Sequence, residues 1–222
     1  GAPADQSKRR VASPVVPPPA GDQRCRDGAT GTPFRPALPK AVQTLRETGK
    51  LTIVAIGSST TAGAGASSSD KSYPTVLEEE LRRRLPQAEI RVVNRGVGGQ
   101  SAYEMLMRME PDVIEQAPSL VIWQTVANDV VNHIGEEKLA KILKKGIRKV
   151  QSAGIDLVMM DLPWMPREGR YPHYDDYRAV LKRTADEHAV AVFPRYRMMR
   201  DWASSRRFTP EELIGMNGTE LV

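Results

Sequence analysis

Short apolar segments alternate with amphipathic ones along most of the chain, and this alternation restricts the possible folds more than any other feature of the sequence. The apolar segments carry aliphatic and β-branched side chains and are bounded by glycine or polar residues, as is typical of buried strands. They lie at residues 51–56, 90–94, 120–125, 157–160 and 190–193.

The segments between these strands have the spacing and the end signals of helices. The clearest is residues 136–153, where Leu139, Leu143, Ile147 and other apolar residues share one face and Gly154 follows as a stop signal. Further helices are predicted at residues 39–48, 74–85, 102–109 and 174–188. Regular strand–helix alternation predicts an α/β fold, with a parallel sheet of about five strands covered by helices on both faces.

Composition predicts one main domain, because 222 residues with 40% hydrophobic content can bury one ordinary core. No apolar run reaches the ~18 residues that a membrane span needs, so no integral membrane segment is predicted. The first 50 residues carry nine Lys/Arg and four Asp/Glu, whereas residues 51–222 carry 23 of each. The predicted domain is therefore neutral, which argues against nucleic acid as a partner.

Residues 1–36 differ from the rest in being basic, rich in proline and poor in periodic apolar residues. Such a composition favours extended, unpacked conformations, so we predict a disordered stalk. The segment resembles the stalk that follows a removed signal peptide, which predicts an exported, periplasmic or extracellular protein. Cys25 is the sole cysteine, so no internal disulfide is expected.

Polar and small residues follow three successive strands at the end where a parallel sheet gathers its ligand-binding loops. Ser59 follows the first strand, Gly98 and Gly99 follow the second, and Asn128 follows the third. An activated serine needs N–H donors aimed at the developing oxyanion. A glycine N–H, an asparagine amide and the N–H of Ser59 at a helix start are suitable donors.

These loops resemble the three blocks of the SGNH (GDSL-type) hydrolase superfamily. Residues 57–61, Gly-Ser-Ser-Thr-Thr, are similar to the first block, Gly-Asp-Ser-x-Thr, with Ser58 in place of the aspartate and Ser59 as nucleophile. Residues 94–99 resemble the second block, whose last glycine, Gly99, is the backbone oxyanion donor. Residues 126–129 resemble the third block, Gly-x-Asn-Asp, with Asn128 as the side-chain donor.

The resemblance places an SGNH-hydrolase-like domain at residues 37–222. It implies a flavodoxin-like three-layer α/β/α sandwich and an ester hydrolase that needs no metal or organic cofactor. By the same resemblance, Ser58, Thr60, Gly98 and Asp129 are expected beside the substrate. Trp164 follows the fourth strand, so this loop is predicted to face the same site, as a wall for an acyl group or sugar ring or as simple packing.

The chain departs from the family pattern in two places. Val126 replaces the glycine of the third block, which is expected to narrow the pocket or shift Asn128. The family's general base is a histidine in a C-terminal Asp-x-x-His pattern, and no histidine lies near Val222. Glu220 stands at the position of the acid if the base follows directly, so we expect the C-terminal block to be missing from these residues.

The three histidines present, His133, His173 and His188, are better explained as surface or helix-end residues than as replacement bases. The sequence thus predicts a serine ester hydrolase that removes a short acyl group, with acetyl as the expected case, from a carbohydrate or other envelope-associated substrate. The alternative is a non-catalytic relative that binds a glycan, a lipid or a partner protein in the same cleft. A dinucleotide site is disfavoured because residues 63–66, Gly-Ala-Gly-Ala, lack the third glycine of that motif.

Overall fold

The computed structural model describes residues 34–63, 71–166 and 170–206, and it confirms the predicted α/β architecture. Five parallel strands form one sheet in the order β2-β1-β3-β4-β5. The strands are β1 (Lys50–Gly57), β2 (Glu89–Gly96), β3 (Leu120–Gln124), β4 (Asp156–Met160) and β5 (Ala191–Phe193). Most of the proposed N-terminal stalk, with Cys25, and the C-terminal Glu220 lie outside the described residues.

Helices connect the strands, and five of them match predicted segments to within three residues at either end. The helices of the described chain are α1 (Pro39–Thr48), α2 (Ser59–Ala62), α3 (Tyr73–Arg84), α4 (Ala102–Asp112), α5 (Ala127–Val131), α6 (Glu136–Ser152), α7 (Tyr174–Glu187) and α8 (Arg195–Ser204). Of these helices, α5 and α8 were not predicted, and for α2 only a helix start at Ser59 was expected. Both α2 and α5 are too short to show a helical period, and half of the residues of α8 are polar.

The side chains of the sheet alternate between two separate cores, which makes the molecule three-layered as predicted. On β1, Val54 and Ile56 join the core that α4, α6 and α7 cover. Leu51 and Ile53 point to the other face and join a core formed with α1 and α3. Because successive strand residues face opposite sides, a strand buried on both faces must be apolar throughout.

Trp123 of β3 lies in the larger core, as its position in a predicted strand suggested. It is fully buried, and its indole N–H donates to the sulfur of Met105 at 3.3 Å. A β-carbon added to Gly146 of α6 would lie 2.5 Å from the indole ring. The absence of a side chain at Gly146 therefore allows α6 to pack directly on the ring.

No helix among the described residues combines the length and the apolar character needed to cross a bilayer.

Candidate active site

The sheet order places the predicted loops side by side. Strand β1 lies between β2 and β3, so the chain leaves β1 and β3 toward opposite edges of the sheet, and ligands of open α/β folds bind at such a switch point. At the carboxyl end of β1, Gly57 is paired with Gly96 of β2, and Ile56 is paired with Trp123 of β3. The loops after these three strands thus begin at the same level of the sheet.

A cavity of about 220 Å³ opens between these loops. Its polar lining consists of Ser58, Ser59, Thr60, Gln124, Asn128 and Arg195. Its apolar lining consists of Ala127, Val130, Val131, Pro163, Met165, Tyr171 and Tyr174. The cavity therefore combines hydroxyl and amide groups with apolar side chains, as small-molecule sites usually do.

Ser58 and Ser59 both line the cavity, but their environments differ. Ser58 is only 2% exposed, and its hydroxyl is hydrogen-bonded to the side chain of Gln124. Ser59 is half-buried, and its hydroxyl has no hydrogen-bond partner among the described residues. As the first residue of α2, Ser59 also has a backbone N–H without an acceptor inside the helix. These differences favour Ser59 as the reactive hydroxyl.

Asn128 lies on α5 and also lines the cavity. Its Nδ2 donates to the carbonyl oxygen of Gln100 at 2.9 Å, so the amide is held beside the loop that carries Gly98 and Gly99. The second hydrogen of the same Nδ2 is left for another acceptor. The structure thus brings the predicted amide donor into the cavity that Ser59 lines.

The two glycines lie in the exposed loop after β2 and are not part of the described cavity lining. Gly99 has a φ of +79°, a left-handed conformation that favours glycine. The carbonyl oxygen of Gly57 anchors this loop by accepting from the Val97 N–H at 2.9 Å and from the guanidinium of Arg108 at 3.2 Å. The loop is thereby attached to the end of β1, next to Ser59.

Val126 occupies the place of the glycine in the third block, and the structure shows how it does so. Its φ is +81°, it is 1% exposed, and it precedes α5 as the N-cap residue. A β-branched side chain in this region is strained. Val126 is not among the residues that line the cavity. Its strained conformation allows the chain to turn as a glycine would, and Asn128 still reaches the site.

Asp129, predicted beside the substrate, is not among the described residues that line the cavity. Its carboxylate is fully buried and accepts from the Ala102 N–H at 3.1 Å, at the start of α4. Burial raises the pKa of the Asp129 carboxyl to about 6, an effect that the hydrogen bond from Ala102 opposes. The placement supports a structural role, in which Asp129 joins α5 to the first turn of α4.

The loop after β4 faces the site, as predicted, but through different residues than expected. Pro163 and Met165 line the cavity, whereas Trp164 packs in the cluster around Met199 and Trp202. The hydroxyl of Tyr174 donates to the carbonyl oxygen of Pro163 and so holds the loop against α7. Of the two interpretations of Trp164, packing is the one that the described contacts support.

Sequence reasoning missed two polar residues of the cavity, Gln124 and Arg195. Gln124 ends β3, and Arg195 begins the helix two positions after the end of β5; these places at the carboxyl ends of strands are the signal that could have identified them. The guanidinium of Arg195 lies 3.4 Å from the hydroxyl of Thr60. Burial lowers the pKa of Arg195 to about 10, so it stays charged at neutral pH inside the cavity wall.

None of the three histidines is among the described residues that line the cavity. His133 is exposed, His173 is paired with Asp176 at 3.0 Å, and the Nδ1 of His188 is 2.8 Å from the carbonyl oxygen of Thr184. These placements agree with the surface and helix-end roles expected from the sequence.

The sequence profile of the Non-GDSL lipase-like family matches residues 24–215, which is most of the chain. The chain belongs to the Non-GDSL lipase-like family. The family name agrees with the first block of this chain, because Ser58 occupies the position of the aspartate in the Gly-Asp-Ser pattern. The match also confirms the resemblance to the SGNH superfamily.

Individual relatives agree with this assignment. The arylesterase of Vibrio mimicus is 23% identical over 125 residues, which cover 56% of this chain and 61% of the arylesterase. The chain thus spans about three fifths of the length of that curated relative.

Solved structures support the fold. A G-D-S-L family protein from Desulfitobacterium hafniense is 25% identical, with a TM-score of 0.55 over 64% of this chain and 75% of that one. An acetylxylan esterase from Geobacillus stearothermophilus is 19% identical, with a TM-score of 0.65 over 78% of this chain and 87% of that one. The SGNH-hydrolase family esterase AlinE4 is 21% identical, with a TM-score of 0.59 over 71% and 80% of the two chains.

Proposed function

We propose that this protein is a serine ester hydrolase that removes a short acyl group through an acyl-enzyme on Ser59. The observation that carries the proposal is the presence of Ser59 and Asn128 in one cavity at the switch point of the sheet. A hydroxyl without a hydrogen-bond partner among the described residues and an amide with a spare N–H are the two groups that acyl transfer needs side by side.

In the proposed reaction, the Ser59 oxygen attacks the ester carbonyl carbon and passes its proton to a base. Negative charge develops on the carbonyl oxygen, and the N–H of Ser59, the N–H of Gly99 and the amide of Asn128 stabilise it. Collapse of this intermediate breaks the ester C–O bond, and the alcohol leaves with the proton from the base. Water then hydrolyses the acyl-Ser59 ester by the same steps and releases the acid.

None of the three histidines of the sequence is proposed as the base, because all of them lie outside the described lining of the cavity. No metal ion or organic cofactor takes part in the proposed steps.

The size of the cavity favours a short acyl group. Its volume of about 220 Å³ is below the roughly 300–1,000 Å³ typical of sites for drug-sized ligands. Val131, Met165 and Tyr171 provide an apolar wall for the methyl end of such a group. An acetyl ester of a carbohydrate is the substrate class that we propose, and the name of the acetylxylan esterase neighbour is consistent with it. An exported location would suit such a substrate.

The test is hydrolysis of p-nitrophenyl esters by the full-length protein. We expect hydrolysis of the acetyl ester, with kcat/KM falling as the acyl chain grows to octanoyl. Ser59→Ala should abolish turnover, whereas Ser152→Ala, an exposed serine at the end of α6, should leave it unchanged. Equal rates for wild type and Ser59→Ala would reject the proposal. Binding of acetylated glycans without hydrolysis would favour the non-catalytic alternative instead.

A further inference from the structure

Gln124 is the last residue of β3 and is only 3% exposed. Its side chain is buried against the turn that carries Ser59. Its Oε1 accepts from the backbone N–H of Ser58 at 2.9 Å and from the hydroxyl of Thr61 at 3.0 Å. Its Nε2 donates to the hydroxyl oxygen of Ser58 at 3.0 Å. One amide from the neighbouring strand therefore holds the chain on both sides of Ser59.

The hydrogen bonds determine which way this amide faces. The backbone N–H of Ser58 can only donate, so the carbonyl oxygen of Gln124 must point at it. The amide nitrogen of Gln124 then faces the hydroxyl oxygen of Ser58, which acts as acceptor for that bond. A glutamine satisfies this arrangement with its one acceptor and its two donor hydrogens, and no charge is introduced beside the nucleophile.

The end of β1 is shaped around the same amide. A β-carbon added to Gly57 would lie 2.5 Å from Oε1 of Gln124 and 2.1 Å from the hydroxyl of Thr61. Both contacts are too close for real atoms, so the residue at this position must lack a side chain. Ser58 is 2% exposed, so water cannot easily replace a lost amide. A buried N–H left without an acceptor is costly, and the turn would have to move.

We propose that Gln124 is a positioning residue for the Ser59 nucleophile. It fixes the turn from Ser58 to Thr61 and thereby the directions of the Ser59 hydroxyl and of the Ser59 N–H. The inference rests on the proposed ester hydrolysis. Because attack depends on the alignment of the reacting atoms, loosening this turn should lower kcat. The apolar wall that contacts the acyl group is on other loops, so KM should change little.

The first test removes the polar contacts but keeps the length of the side chain. Gln124→Met in the full-length protein should lower kcat by about a hundredfold, with little change in KM. Gln151→Met is the matched control, because the Gln151 amide is exposed on α6 and donates to the carbonyl oxygen of His188. That control should keep the wild-type kcat. A wild-type kcat in Gln124→Met, or a loss confined to KM, would overturn the proposal.

The second test keeps the shape of the Gln124 side chain and adds a titratable charge. A glutamate at this position can still accept from the Ser58 N–H and from both hydroxyl groups, so Gln124→Glu should fold normally. Its carboxylate would oppose the negative charge that develops beside Ser59. The ratio of kcat in Gln124→Glu to kcat in wild type should therefore rise as the pH is lowered and the carboxyl is protonated. A ratio that does not change with pH would overturn the proposal.

A third measurement does not depend on activity. The backbone N–H of Ser58 should exchange with solvent much faster in Gln124→Met than in wild type, while the N–H groups of Val54 and Ile56 in β1 keep their protection. Unchanged protection of Ser58 would show that Gln124 does not hold the turn. If the wild-type protein hydrolyses no ester, the proposed function fails, and the exchange result still decides whether this contact fixes the turn.

Discussion

The amide of Asn128 donates a hydrogen bond to the carbonyl oxygen of Gln100 at 2.9 Å, and this bond joins the loop after β3 to the loop after β2. Two loops that are far apart in sequence are thus held together beside Ser59. The bond orients the amide and leaves its second N–H for another acceptor, which we propose to be the oxyanion of the reaction. A donor that is held before the substrate arrives stabilises a developing charge without the cost of reorganisation.

Replacement of Asn128 should therefore affect the rate of the chemical step. We expect Asn128→Ala to lower kcat by about a hundredfold or more. The variant should unfold near the wild-type temperature, because Asn128 lies only partly buried at the cavity wall. Steady-state kinetics and thermal unfolding of the two proteins test this expectation. An unchanged kcat would remove Asn128 from the oxyanion site.

Because Val126 has a left-handed conformation, we expect its glycine variant to be more stable than its alanine variant, the reverse of the usual order. At an ordinary buried position alanine is more stable than glycine, but a φ of +81° disfavours any β-carbon. The left-handed region costs an L-residue roughly 1–2 kcal/mol, so we expect Val126→Gly to be more stable than Val126→Ala. Chemical denaturation gives both free energies of unfolding.

The matched control for this comparison is Val130, which is also buried but lies within α5. At that position the alanine variant should be the more stable of the pair, because glycine costs helices about 0.5–1 kcal/mol relative to alanine. If Val126 shows the same order as Val130, its conformation carries no strain.

Asp129 predicts a pH dependence of stability. Its pKa of about 6 in the folded protein is above the ordinary carboxyl value of 3.8, so folding favours the protonated form. The contribution of the Asp129 carboxyl to the free energy of unfolding is therefore fully present below about pH 4 and is lost as the pH rises to about 6. The loss is on the order of 3 kcal/mol.

Asp129→Asn removes this titration. The free energy of unfolding of the variant, measured relative to wild type, should increase between pH 4 and pH 7 in urea denaturation series. The slope is the tested quantity, because the substitution also changes the bond to the Ala102 N–H by a constant amount. If the difference in free energy of unfolding between variant and wild type stays constant across this pH range, the Asp129 carboxyl has the same pKa in the folded and unfolded states.

Replacement of Gly146 by alanine should destabilise the protein, although the same replacement within a helix usually stabilises it. Alanine in a helix interior is usually more stable than glycine by about 0.5–1 kcal/mol. Here the new methyl group would lie 2.5 Å from the Trp123 ring, and overpacking of a core costs about 1–3 kcal/mol. Gly146→Ala should therefore lower the free energy of unfolding, whereas Ser152→Ala on the exposed end of the same helix should not. A stabilised Gly146→Ala would mean that α6 is not seated on the ring.

The sequence was sufficient for the sheet, because each strand contains a short aliphatic or aromatic segment and five of the helices have an apolar face. It also located Ser59 and Asn128, since chemically capable side chains at successive strand ends are visible in the sequence. Gln124 was not found, because its role depends on a contact with Ser58, 66 positions away, and no local pattern encodes that pairing. The sequence likewise could not show that the Asp129 carboxylate accepts from the Ala102 N–H, because this contact also depends on the fold.

The central claim is that Ser59 is an activated nucleophile, and covalent labelling tests it most directly. The full-length protein would be treated with a fluorophosphonate, which phosphonylates activated serine hydroxyls, and the modified peptide identified by mass spectrometry. We predict one adduct per chain, on Ser59, that is lost in Ser59→Ala and retained on Ser59 in Ser58→Ala. Labelling on Ser58, or the absence of any adduct on residues 57–61, would contradict the account.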